Sequence, residues 1–188
     1  MSRALATVDL ECVRHNVGEL RQRLAPRCNL MAVVKADGYG HGAEPVGRAS
    51  LDAGATTLGV ATATEALQLR RVGLECPVII LGPLTGAEVE LAIDAEAEIL
   101  IWSLPFRRNL FSVAHNRGTR VRCHPKIDTV MRRLGLYPRR PVESLDLAGT
   151  APDVELAAVI TLSARPHPRE GAASKFMLPP STHHRQTG

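Results

Sequence analysis

Residues 57–81 read TLGVATATEALQLRRVGLECPVIIL. The short apolar run Thr57–Ala61 leads at once into Thr62-x-x-Glu65, the spacing at which a threonine hydroxyl and a glutamate carboxylate cap each other's backbone amides at a helix start. Gly73 stands where that helix should stop. Pro77–Leu81 is then a second apolar run. Two continuously apolar strands joined by a capped helix make a βαβ unit, and strands of that kind are buried on both faces of a parallel sheet.

The same alternation extends in both directions. Upstream, Asp9 can cap a helix whose apolar face is Leu10, Val13, Val17, Leu20 and Leu24, followed by the run Asn29–Val34. Downstream, Thr85-x-x-Glu88 repeats the capping box, and Glu98–Trp102, Thr119–Cys123 and Val154–Leu162 are further apolar runs. Gly54 marks another helix stop. Pro125 has no amide to give and should interrupt the ladder of the fifth strand. Six βα units suit an open doubly wound sheet or an incomplete parallel (β/α)8 barrel of the TIM type. A full barrel takes about 250 residues, and the chain has 188. From Ala164 the pattern dissolves into ARPHPREGAASKFMLPPSTHHRQTG, with prolines and no apolar period. The expectation is a folded unit over 1–163 and a disordered or out-of-frame tail over 164–188.

Composition narrows the function. No apolar stretch reaches the roughly 20 residues of a membrane span, so no membrane role is expected. The four cysteines (Cys12, Cys28, Cys76, Cys123) lack paired spacing, which suits reduced thiols and a cytoplasmic location better than disulfides or zinc. The net charge is +4, but Arg165, Arg169, Lys175 and Arg185 set against Glu170 place most of it in the tail. With aromatic residues at 3%, nothing resembles a nucleic-acid surface. The Arg107-Arg108, Arg132-Arg133 and Arg139-Arg140 pairs read, apart from one member, as solvated. His15, His41 and His115 show no ligand spacing, so no metal is expected. Trp102, Phe106 and Cys123 read as packing residues.

Lys35 is the first candidate for chemistry. It ends an apolar strand, where barrel enzymes place their reactive groups, and apolar strand partners should disfavour its ammonium form. The alternative is a lysine that leaves the strand and reaches for water. The segment around it, Val33-Val34-Lys35-Ala36-Asp37-Gly38-Tyr39-Gly40-His41-Gly42, closely resembles the pyridoxal-phosphate lysine segment of alanine racemases. A second segment, Lys126-Ile127-Asp128-Thr129-Val130-Met131-Arg132-Arg133-Leu134-Gly135, resembles another motif of that family at the expected distance.

The resemblance covers residues 1–163 and implies a pyridoxal 5'-phosphate-dependent isomerase that interconverts L- and D-alanine as a homodimer. It implies that Lys35 forms the Schiff base with the cofactor and is one of two acid–base groups. Tyr39 would lie near the phosphate, Arg133 by the cofactor's phenolic oxygen and the substrate carboxylate, and Met131 close to the substrate. Lys126 matches a lysine carbamylated in many members. It also implies a short strand over Ala6–Leu10. The sequence departs from the family at Val130, where the family has glycine, and at Leu162, where it has histidine after Thr161. The family's last barrel strands and C-terminal β domain, source of the second acid–base tyrosine, have no counterpart here, so impaired turnover is expected. A non-catalytic cofactor-binding protein, or a racemase of another amino acid, is the alternative.

Overall fold

A computed structural model describes residues 6–129, 131–136 and 153–162 of the chain. Helix α1 (Leu10–Arg23) precedes strand β1 (Met31–Val33), a short turn α2 (Lys35–Tyr39) and helix α3 (Ala43–Asp52). Then follow β2 (Thr57–Val60), α4 (Ala63–Arg71), β3 (Val78–Ile80), α5 (Gly86–Asp94), β4 (Glu98–Ile101) and α6 (Leu104–Arg117). Strands β5 (Val121–Ile127), β6 (Val154–Leu156) and β7 (Ile160–Thr161) complete the described elements. The sheet runs in the order β1-β2-β3-β4-β5-β6, every pair parallel, with β7 also on β5. This is the incomplete barrel architecture expected from the βα alternation.

The register explains the core. Leu58 pairs with Val78, Val60 with Ile80, Ile80 with Ile99, and Ile99 with Cys123. Strand side chains alternate between faces, so these residues share one face and form a buried cluster with Ala66, Leu69, Val89, Ala92, Leu110 and Ala114 of the helices. Each large aliphatic side chain so buried contributes about 1.5–3 kcal/mol. The opposite face carries Gly59, Ile79, Glu98, Leu100 and His124 in register. Two residues beyond His124 on that face comes Lys126.

Both capping boxes form, at Thr62–Glu65 and Thr85–Glu88. Asp9 caps α1 by accepting the amides of Glu11 (2.8 Å) and Cys12 (3.4 Å). Gly54 and Gly73 follow α3 and α4 closely, as expected.

Five expectations need correction. Ala6–Asp9 lies in no ladder, its expected pairing partner having no counterpart among the described residues, and Leu10 opens α1 instead of ending a strand. Leu20 is 54% exposed. In its place Arg21 turns inward, its alkyl chain against Gly54 and its guanidinium donating to the carbonyls of Cys28 (2.6 Å) and Pro26 (3.3 Å). Pro125 does not end β5: it pairs with Ile101 and the strand continues to Ile127. The run Val154–Leu162 is two strands, β6 on Val121–Cys123 and β7 on Lys126–Ile127, with a break at 157–159. Arg107 is half-buried rather than solvated, its guanidinium 4.5 Å from the centroid of the Phe111 ring.

Trp102 and Phe106 stack at 5.5 Å, and Cys123 is fully buried, its thiol pushed up to about 12 by burial and by the Glu98 charge. Both fit packing roles. The tail 164–188, the end of the 1–163 unit and Val130 lie outside the described residues.

Candidate active site

Strand β1 ends at Val33, and Lys35 opens α2 directly beyond it. The backbone then does something unusual for L-residues. Ala36 (φ 51, ψ 49), Asp37 (φ 52, ψ 50) and Gly38 (φ 62, ψ 34) are left-handed, and Tyr39 (φ 56) and Gly40 (φ 82) keep positive φ. A left-handed non-glycine residue costs about 1–2 kcal/mol, so the turn needs support from its surroundings.

That support is visible. Gly38 N–H donates to Val34 O (2.8 Å), and Gly42 N–H to Asp37 O (2.8 Å). Asp37 Oδ1 accepts the Ala43 amide at 2.8 Å, tying the turn to the start of α3. Gly38 is buried, and a Cβ there would lie 3.3 Å from Ala43 N, so glycine suits both the dihedral and the space. From the neighbouring β2–α4 junction, Glu65 Oε1 accepts the Ala36 amide at 2.8 Å. The turn folds Tyr39 back over the lysine: Lys35 Nζ lies 5.9 Å from the Tyr39 ring centroid, with Tyr39 60% exposed.

The second cluster sits at the end of β5. Asp128 Oδ1 and Oδ2 accept the amides of Arg132 (2.9 Å) and Arg133 (2.6 Å), curling the following segment into a loop. Leu136 closes it, donating to Lys126 O (2.7 Å) and accepting from Asp128 N–H (3.0 Å). Arg132 takes a positive φ of 50° in this loop. Thr161 donates to Ile127 O (2.9 Å) and shares a hydrogen bond with Thr129 (2.8 Å), holding β7 against the loop. Lys126, Asp128, Met131, Arg133 and Leu162 line a small cavity here.

The two clusters are electrically joined. Burial first, then the Arg133 charge, push Lys126 below its ordinary value; Asp128 opposes them, and the Lys35 charge adds to the lowering. Strands β2, β3 and β4 lie between β1 and β5, and a flat sheet would hold them about 19 Å apart at the usual interstrand spacing. Both lysines nonetheless stand at the same, C-terminal ends of their parallel strands. Lys126, Met131 and Arg133 share one cavity, while Lys35 and Tyr39 form a separate pair beyond β1.

Below Lys126 on the same face, Glu98 Oε2 meets His124 Nε2 at 2.5 Å, and Glu98 Oε1 pairs with Arg122. Glu98 and His124 are both buried. His124 Nδ1 has no hydrogen-bond partner among the described residues. Sequence reasoning missed this pair, whose members lie 26 residues apart; a charged residue opening an otherwise apolar run was the available sign.

The sequence family described as alanine racemase, N-terminal domain, matches residues 8–175. The chain belongs to the alanine racemase family. An alanine racemase of Desulforamulus reducens is 41% identical over 133 residues, covering 71% of this chain and 36% of that protein. One from a Nostoc species is 41% identical over 162 residues, covering 84% of this chain and 42% of its own. Among solved structures, an alanine racemase from D-cycloserine-producing Streptomyces lavendulae superposes with a TM-score of 0.76 at 36% identity, covering 82% of this chain and 41% of that one. That from E. faecalis gives 0.75 at 30%, covering 84% and 43%. The chain thus spans well under half the length of these alanine racemases. Their likeness agrees with the family and the α/β barrel architecture read from the sequence. Among the described residues no helix is long and apolar enough to cross a membrane.

Proposed function

We propose that this chain carries the cofactor-lysine side of a pyridoxal 5'-phosphate-dependent alanine racemase, with L- and D-alanine as substrates and a homodimer as the working assembly. The observation that supports it most is that Lys35 and the Lys126–Arg133 cluster stand at the same, C-terminal ends of parallel strands β1 and β5 in a family member. Three cations at these strand ends, with Asp128 in the Lys126 cluster, suit a ligand that brings anionic phosphate and carboxylate groups. The residues present therefore fit the cofactor.

Bound there, pyridoxal phosphate would supply an electron sink for negative charge at the substrate's α-carbon. Lys35 Nζ would hold the cofactor and move a proton at the α-carbon on its own face. The Tyr39 hydroxyl would be the donor available to the phosphate. Arg133 would orient the substrate carboxylate and the cofactor's phenolic oxygen through its planar donors, and Met131 would give an apolar wall beside the substrate. Lys126, its amine already lowered by burial and by its cationic neighbours, is the group that carbon dioxide would carbamylate. The resulting carbamate would reverse its charge and orient Arg133.

Racemisation needs proton exchange on both faces, and a lost acid–base group typically costs 10²–10⁴-fold. Among the described residues Lys35 is the one such group assigned, so slow turnover of alanine is the outcome expected of these residues. That same observation favours a second reading, a cofactor-binding protein without turnover. A coupled D-amino-acid oxidase assay separates the two: measurable D-alanine from L-alanine supports the racemase, and complete absence alongside bound cofactor supports the binder. The direct test is borohydride reduction of the chain mixed with pyridoxal phosphate, followed by peptide mapping. Selective labelling of Lys35 over Lys126 and Lys175 supports the reading, and uniform or absent labelling overturns it.

A further inference from the structure

Glu65 uses one carboxylate for two purposes. Oε2 accepts the amides of Ala61 (2.6 Å) and Thr62 (3.3 Å), which closes the capping box of α4. Oε1 accepts the amide of Ala36 at 2.8 Å, 29 residues earlier in the chain and beyond a different strand. The molecule contains its own control. Glu88 holds the same box position on α5, and its Oε2 accepts the Thr85 amide and hydroxyl, both at 2.8 Å. Capping α5 is complete with these local bonds, so the reach to Ala36 is not something that a capping box requires.

The partner chosen is informative. The Ala36 amide is the one directly after Lys35, and Ala36 is the first left-handed residue of α2. Glu65 stands in the first turn of a helix whose Ala63, Ala66 and Leu69 are buried in the core. Its carboxylate therefore ties a packed helix to a turn that holds three non-glycine residues at positive φ. If that tie were absent, Ala36 and Asp37 could relax toward right-handed dihedrals, and the direction in which Lys35 leaves the sheet would change.

We propose that Glu65 is a positioning residue for Lys35, holding the first residue of the left-handed turn so that the lysine amine faces the cofactor site. The proposal rests on Lys35 being the cofactor lysine. Its role is distinct from the capping of α4, although the same side chain performs both.

The test compares four full-length chains: wild type, Glu65→Gln, Thr62→Ala and Glu88→Gln. Glutamine keeps the shape of Glu65 but has a single acceptor oxygen, so its NH₂ must face an amide at either Ala36 or Ala61. Thr62→Ala and Glu88→Gln weaken capping without touching the bond to Ala36. The first readout is the ratio of borohydride-fixed pyridoxal phosphate on Lys35 to that on Lys126 plus Lys175. It should fall about tenfold or more in Glu65→Gln, since a 1 Å misplacement can cost on the order of 10²-fold. Thr62→Ala and Glu88→Gln should keep the wild-type ratio even where their Tm drops. An unchanged ratio in Glu65→Gln, or an equal fall in Thr62→Ala, overturns the proposal.

If wild type itself shows no preference for Lys35, the assignment of Lys35 fails, and amide hydrogen exchange decides the structural part separately. Loss of protection at Ala36 in Glu65→Gln but not in Thr62→Ala upholds the tie, and equal protection in both removes it. Should Glu65→Gln not fold, Glu65→Asp is read in the same two ways, being one methylene too short to span both amide groups.

Discussion

The two lysine-bearing strand ends are built on opposite plans. Beyond β1, the backbone after Lys35 is left-handed and strained, and it is held from outside by Glu65 on α4, with Asp37 reaching forward to α3. Beyond β5, the loop after Lys126 is held mainly by itself: Asp128 binds the amides of Arg132 and Arg133, and Leu136 closes back on Lys126 and Asp128. One end borrows the rigidity of the helix layer. The other is a loop closed on itself and against β7, with Met131, Arg132 and Arg133 on its exposed side. A group whose direction must not vary suits the first plan. A group that must grip and release a carboxylate suits the second, since loops of low contact density are the segments that open most readily.

The sharpest way to break this comparison is to remove each lysine in turn. Lys35→Ala should abolish the selective cofactor fixation, with no rise in label at Lys126 or Lys175. Lys126→Ala should leave Lys35 labelled and alter the loop alone. Peptide mapping after borohydride reduction reads both. If Lys126 proves to be the residue labelled, the two ends have exchanged roles and the comparison fails.

A second test lies beneath Lys126. Burial alone would raise the pKa of Glu98, but its hydrogen bond to His124 and the charges of His124 and Arg122 more than offset this and hold it below the ordinary 4.5. A carboxyl whose folded pKa is depressed stabilises the protein above its unfolded pKa and loses that contribution as pH falls through the folded value. Stability should therefore decline below pH 4.5, and in Glu98→Leu that part of the decline should vanish. At neutral pH Glu98→Leu should itself cost about 3–5 kcal/mol, the range for breaking a buried pair and stranding its partner. Urea denaturation of both chains at pH 4 and pH 7 measures this. Equal pH dependence in the two would mean that the pair contributes nothing to the platform under Lys126.

How legible these ends were follows from the range of the interactions that build them. Asp9, Thr62–Glu65 and Thr85–Glu88 act within a few residues, and their spacing predicted real caps. The apolar runs at 57–61, 77–81 and 98–102 predicted β2, β3 and β4 to within a residue. The two motifs named Lys35, Tyr39, Lys126, Met131 and Arg133, but nothing local could say that three strands would stand between the one at β1 and the other at β5. The same limit hid the reach of Glu65 to Ala36 and the Glu98–His124 pair, whose partners lie 29 and 26 residues away. Leu20 misled for another reason. Its helical period was right, but Arg21 satisfied two carbonyls beyond the helix and took the inward position.

The smallest effect expected here tests whether the β5 loop is as self-contained as it looks. Gly135 has a φ of 139°, and a Cβ placed on it would lie 2.8 Å from Asp128 N and 2.9 Å from Lys126 O. Those are the backbone groups through which Leu136 closes the loop. Gly135→Ala must therefore push the closure apart as well as strain its own backbone, at a cost of about 1–3 kcal/mol. Because the loop borrows little from the helix layer, the damage should stay local. Amide exchange should quicken at Asp128 and Leu136 while Gly38 and Gly42 keep their protection. If the Lys35 turn loosens as well, the two ends are mechanically coupled through the sheet, and the difference in their construction does not isolate one from the other.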